Sequence, residues 1–265
     1  MWAALVKRYI AIQPRLLWPE KPLDKYIGRE LEFLVLRWKS VKVSWAMTQL
    51  GSESIPRQRH FFVSDEPAPF FSPCHVYLVE GGRWLLIGTR FGAVQYYDLN
   101  AITISASTLI PSIFNSCAEI WMSVDLDSAA ESFAFYLGIL TRRRPDNLAG
   151  SPHHPHNARW IQIWRVTAKV ESNDVTGLNS ELQCSFCEEY EPACFAFRLR
   201  GQLVSYSLFY SHLQVGPINN GHKIIIVDWK SSDLIGLNYP RKIISDIKAS
   251  VSSVAQVSLF MPNKM

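Results

Sequence analysis

The sequence predicts a mainly β protein: a partial β-propeller of about three four-stranded antiparallel blades, preceded by two short α-helices. Three observations predict it. First, Ala93–Leu99, Trp160–Val166 and Lys223–Trp229 are short apolar strands that end alike, and aligned on Tyr97, Trp164 and Val227 they recur after 67 and then 63 residues. Recurrence at such spacing marks a repeat architecture. Second, from about residue 58 the apolar residues alternate with period 2, the pattern of strands. Third, helical periodicity is confined to residues 2–13 and 28–39.

The elements follow in order. Trp2, Leu5, Val6, Tyr9 and Ile10 form one face of a helix that Pro14 stops. Pro14, Pro19 and Pro22 then keep the chain extended. In the second helix Leu31, Leu34, Val35 and Trp38 form the apolar stripe, with Glu30 and Glu32 near its positive end. Val41 to Trp45 alternates and is read as a possible first strand. These pieces make residues 1–50 a helical region and 51–265 the β domain. Within the latter, Gly81-Gly-Arg83 and Arg90-Phe-Gly92 are turns flanking the strand Trp84 to Thr89, and Ala93 to Leu99 returns as a hairpin. Glu119 to Asp125 and Ser132 to Leu140 form the next pair, joined through Asp125-Leu-Asp127-Ser128, and Ala158 to Val166 closes that unit. Cys194 to Leu199 and Leu203 to Tyr210 pair around Arg200-Gly201-Gln202. Asn219-Asn-Gly221 turns into Lys223 to Trp229, and residues 241–260 begin a further unit.

The chain has 265 residues, is 48% hydrophobic and 19% charged, so a packed core is expected and disorder is not. A blade of about 65 residues exceeds the ~40–50 of common propeller repeats, the excess falling in loops such as 141–157. About 210 residues remain after the helical region, room for roughly three blades, where rings close with ~4–8. An incomplete ring with open edges is therefore expected. The net charge of +4 is a mild excess and gives no reason to propose nucleic acid. Five cysteines and no Asn-x-Ser/Thr acceptor point to a reducing compartment, cytoplasm or nucleus. No apolar run has the length of a membrane span. Residues 1–19, with Lys7, Arg8 and Arg15 and no acid, read as an amphipathic helix rather than a transit segment.

Trp2-Ala-Ala-Leu-Val-Lys-Arg8, the helix Glu30 to Ser40, Gly82 to Leu99 and Ile161-Gln-Ile-Trp-Arg-Val166 together resemble the large fungal group of F-box proteins with a C-terminal β-propeller. The likeness runs over nearly the whole chain. It implies a substrate-recognition part of a Skp1–cullin–F-box ubiquitin ligase. Trp2 matches the tryptophan just after the F-box, so the F-box itself and the last blades are expected to be missing from this polypeptide, a truncated piece. A Skp1-type adaptor is then a partner only where an F-box stands upstream.

Each group of residues that could carry chemistry also has a plainer role. Cys184-Ser-Phe-Cys187 with Cys194, and His212 as a further donor, has zinc-like spacing but no second pair, so core burial is the expectation. His153, His154 and His156 sit among prolines and read as a surface loop. Arg142-Arg-Arg144 falls short of an import signal and reads as a solvated strand end. Asp125, Asp127 and Glu131, and later Glu188, Glu189 and Glu191, are carboxylate clusters. Asp125 and Asp127 would share one face of a strand, the arrangement acid–base chemistry needs, yet turn roles are the plainer reading. Trp84, Trp160, Trp164 and Trp229 are expected mostly in the core rather than on a binding face. No familiar enzyme motif occurs. The sequence thus favours a non-catalytic interaction module with an unknown protein partner, no nucleic acid and no membrane. It assigns no catalytic, cofactor or metal residue. The alternative is a small enzyme using Asp125/Asp127 or a Cys184/Cys187/Cys194 metal site.

Overall fold

The structure, a computed structural model, describes residues 2–12, 19–36, 75–112, 118–143, 158–172, 174–189, 193–211, 220–231 and 240–247. The expected strand at Val41–Trp45, helix residues 37–39, and His153, His154, His156, Arg144, Glu191 and His212 lie outside them.

Among the described residues twelve strands form three four-stranded antiparallel sheets in chain order. The first holds β1 (Val76–Leu78), β2 (Trp84–Gly88), β3 (Val94–Asp98) and β4 (Ala106–Ile110). The second holds β5 (Ala118–Leu126), β6 (Ala134–Arg143), β7 (Ala158–Glu171) and β8 (Asp174–Glu189). The third holds β9 (Ala193–Arg200), β10 (Leu203–Ser211), β11 (Asn220–Asp228) and β12 (Arg241–Ile247). Each is an up-and-down meander, so the mainly β, propeller-like reading holds. Residues 241–247 close the third sheet instead of opening a further unit. Four of the expected turn glycines, Gly81, Gly82, Gly92 and Gly201, have φ of 97°, 73°, 77° and 57°, which a side chain would resist.

The repeated segments prove to be the third strand of each sheet. The middle one, however, is aligned two residues early. Leu99, Ala168 and Trp229 donate their amides to the carbonyls of Arg83, Phe133 and Gln202 at 2.8, 3.4 and 3.0 Å. Tyr97, Val166 and Val227 are therefore the equivalent residues, and all three are buried. A two-residue slip keeps every side chain on its own face, so alternation alone cannot reveal it. The first and third sheets also end this strand alike. Asp98 accepts the Asn100 amide at 2.9 Å and Asp228 accepts the Lys230 amide at 3.2 Å, each fixing the turn that follows.

Two apolar seams join the sheets. Val79, Trp84, Leu86, Val94, Leu109 and Ile110 of the first pack on Ile120, Met122, Phe135, Leu137, Val166 and Leu178 of the second. Leu140, Ile161, Ile163, Cys184 and Phe186 of the second pack on Phe197, Leu199, Val204, Tyr206, Ile225 and Trp229 of the third. Small residues set the approach. A Cβ on Gly88 would stand 2.7 Å from Ile120 Cγ2, and one on Gly138 would stand 3.1 Å from the Phe197 ring.

Helix α1 (Trp2–Ile12) and helix α2 (28–36) form a small core of their own, Val6 against Leu31 and Val35. Glu30 caps α2 by accepting the Ile27 amide at 2.8 Å, half of a capping box. The helical region is tied to the sheets by the buried Pro19, whose carbonyl accepts the Phe133 amide at 2.9 Å. Glu20 adds an ion pair with Arg83.

Candidate functional site

The first strands of the second and third sheets, β5 and β9, lie side by side, and β1 of the first sheet is linked to them through His75 and Tyr77. Tyr77 on β1 is half-buried, and burial is the main cause that pushes its pKa up. Glu80 adds to the rise, Arg198 on β9 opposes it, and Asp125 on β5 adds again. Side chains from three sheets thus share one electrostatic neighbourhood. Just before β1, His75 meets Trp121 of β5 at 6.2 Å with the rings tilted by 59°, and burial holds its imidazole below the ordinary value. The result is an aromatic and charged wall, His75, Tyr77, Trp121, Asp125 and Arg198. None of these except Asp125 was singled out from the sequence. The signal that could have found them is the alternation within the first strand of each blade.

Tyr77 packs against the first seam and Trp121 against the second. In the first, Arg83 donates from Nε and Nη2 to Asp98 at 2.9 and 2.7 Å, from Nη2 to the Val175 carbonyl at 2.9 Å, and pairs with Glu20. Burial is the largest influence on Arg83 and pulls its pKa down, but the Asp98 and Glu20 carboxylates together outweigh it. Its guanidinium lies 4.5 Å above the Trp84 ring, and Trp84 meets Tyr96 edge-on at 5.6 Å. The second seam repeats the theme. Trp229 and Tyr136 meet at 5.3 Å, and Lys230 lies 4.8 Å from the Tyr136 ring and 5.2 Å from that of Trp229.

The carboxylates weighed for chemistry are placed on fold duties. Asp125 does share a face with Asp127, as expected from their spacing. Asp125 accepts the Gly201 amide at 2.5 Å, joining the second sheet to the third. Asp127 pairs with Arg165 at 3.1 Å and accepts the Ala129 amide at 3.3 Å. Glu131 is exposed. Arg142 reaches Glu119 across the β5–β6 pair at 4.0 Å.

Cys184 and Cys187 do not converge. Cys184 pairs opposite Ile163 and Cys187 opposite Trp160, so they point to opposite faces of the second sheet. Cys184 is buried in the seam with the third sheet, whereas Cys187 is half-buried. Three positions along a strand reverse a side chain, so zinc-like spacing loses its meaning on β8. Cys194 lies on β9, in another sheet. Among the described residues no group of three or more His, Cys, Asp or Glu could hold a metal ion. Of the tryptophans, Trp84 and Trp229 are core, while Trp160 and Trp164 are half-buried.

Among the described residues no helix is long and apolar enough to cross a membrane. No family model, no curated protein and no solved structure matches the chain.

Proposed function

We propose that this chain is a non-catalytic protein-interaction module, built like the substrate-recognition part of F-box receptors. One observation supports the reading. The first strands of three sheets bring Tyr77, Trp121 and Arg198 to one wall, and Tyr, Trp and Arg are the residue types enriched where interface energy concentrates. A rigid stack of sheets presenting its turns and first strands is suited to hold such a set in place. The partner is a protein, met in the cytoplasm or nucleus, and neither nucleic acid nor membrane. A Skp1-type adaptor is engaged where an F-box stands upstream of Trp2.

A photo-reactive amino acid at position 77 tests this. It should cross-link a discrete partner in cell extract, and Arg198→Glu should abolish the product. The same group at Asn179, exposed on β8, should give none. Equal labelling from both positions, or none from position 77, overturns the proposal.

A further inference from the structure

The two seams carry the same device at their turn ends, an aromatic pair under a basic residue, but they hold the cation differently. Arg83 is fixed by Glu20, Asp98 and the Val175 carbonyl as well as by the Trp84 face. Lys230 is exposed, and among the described residues its ammonium has neither a carboxylate nor a hydrogen-bond partner. Only its amide is bonded, to Asp228. The rings of Tyr136 and Trp229 alone draw the ammonium in. Those rings are preorganised. Trp229 is buried and its Nε1 donates to the Gly201 carbonyl at 3.1 Å. Tyr136 stands between Asp125 on one neighbouring strand and Arg165 on the other. Arg165 is offset by Asp127 at 3.1 Å, so it does not leave an uncompensated positive charge beside the rings.

We infer that Tyr136 and Trp229 form a binding site for the alkylammonium group of a partner's lysine side chain, free or methylated, and that Lys230 is its built-in, displaceable occupant. An ammonium over aromatic faces is attracted by the ring quadrupoles, and desolvation between two rings strengthens the attraction. A lysine on a flexible stem, bound by nothing else, is readily exchanged for another. Arg83 cannot be exchanged in this way, because leaving would strand two carboxylates. The inference rests on the reading of the chain as an interaction module, since it takes the ligand from a protein.

The test uses the full chain, 15N-labelled, and Nα-acetyl-trimethyllysine amide as probe. The indole N–H of Trp229, assigned with Trp229→Phe among nine tryptophans, reports binding. Lys230→Ser should bind the probe at least about threefold more tightly than the native chain, the gain from removing a weak competing cation–π contact. Lys230→Gln should do the same, which guards against one variant folding badly. Adding Tyr136→Leu should abolish the Trp229 shift, and Tyr136→Phe should keep it. Nα-acetyl-lysine amide, with its ε-ammonium free, separates in parallel the free from the methylated ammonium, either of which sustains the inference. An unsaturable shift, or equal affinity in native chain and both Lys230 variants, overturns it. Because no partner is needed, such a failure leaves the interaction-module reading standing, whereas cross-linking failure from position 77 would remove that reading without touching the probe result.

Discussion

Leu178 and Cys184 lie on one strand at positions of the same parity, yet they are buried in different seams. Leu178 faces the first sheet and Cys184, with Phe186, faces the third. The switch is Gln183. Ile163 pairs with Cys184 while the next residue, Trp164, pairs with Leu182, so Gln183 is an extra residue, a β-bulge. One strand thereby serves two seams. Deleting Gln183 must turn either Leu178 or the Cys184–Phe186 pair outward. Each large side chain so exposed costs about 1.5–3 kcal/mol. Loss of about 3 kcal/mol or more is expected in urea unfolding, while Gln183→Ala, which keeps the bulge, should stay within about 0.5 kcal/mol. A deletion as stable as the native chain would mean that the register assigned to β8 is wrong.

Gly88 and Ile120 set the approach of the first two sheets. Gly88→Ala places a methyl 2.7 Å from Ile120 Cγ2, inside a buried seam where the side chain cannot swing away. Overpacking of this kind costs about 1–3 kcal/mol. Ile120→Ala alone opens a cavity and costs about 2–5 kcal/mol. The double variant should lose clearly less than the sum, because the new methyl fills part of the space left by isoleucine. Strict additivity in a four-corner cycle of urea midpoints would show that the two residues do not touch.

Asp125 gives a third expectation. Its carboxylate holds the Gly201 amide, so Asp125→Ala should lower stability by about 1 kcal/mol, toward the low end for a charged acceptor because the bond is exposed. Asp125→Asn retains an accepting oxygen and should recover part of the loss. Asp127→Ala removes a partly exposed pair with Arg165 and should cost about 0–1 kcal/mol. Unchanged thermal unfolding of Asp125→Ala would free this carboxylate for another role.

What was legible in the sequence has a common physical basis. Trp84–Gly88, Val94–Asp98 and the strand pair that sets Val204 opposite Val227 read clearly because one apolar face and glycine turns coincide. The long strand Asp174–Glu189 did not. Its outer edge faces solvent at Asn179, Glu181 and Gln183, and its bulges at Thr176 and Gln183 break the link between parity and face. The strand period alone undid the Cys184–Cys187 spacing as a metal signal, since three positions in unbroken register reverse the side chain. Asp125 and Asp127 were correctly placed on one face. Their partners, Gly201 and Arg165, belong to other strands, and only tertiary structure could supply them. The wall of Tyr77, Trp121 and Arg198 was hidden for that reason too, since three strands distant in the chain compose it.

The helical region should respond to pH at both extremes, through two groups that neighbour Lys21. Lys21 is nearly buried. It pairs with Glu30 at 2.9 Å, lies 4.7 Å over the Tyr26 ring, and donates its amide to the Tyr26 hydroxyl at 3.3 Å. The amide of Ile27 first, and Lys21 second, hold the Glu30 carboxyl below its ordinary value. A depressed carboxyl contributes stability that is complete above the unfolded value and is lost as pH falls through the folded one. Tyr26 moves the other way, pushed up to about 12 chiefly by burial. The folded chain therefore keeps the Tyr26 proton where the unfolded chain has released it. Its contribution is complete below about pH 10 and disappears between about 10 and 12. Urea midpoints measured across pH should fall at both ends. Glu30→Gln should flatten the acid limb and leave the alkaline limb. Tyr26→Phe should make the alkaline limb shallower, with buried Tyr77 and Tyr97 supplying what remains, and leave the acid one. If Tyr26→Phe shows the same alkaline decline as the native chain, and the difference absorbance of the two at pH 11 reveals an ionised Tyr26, then the phenol is not buried beside Lys21 and the docking of this helical region has been misread.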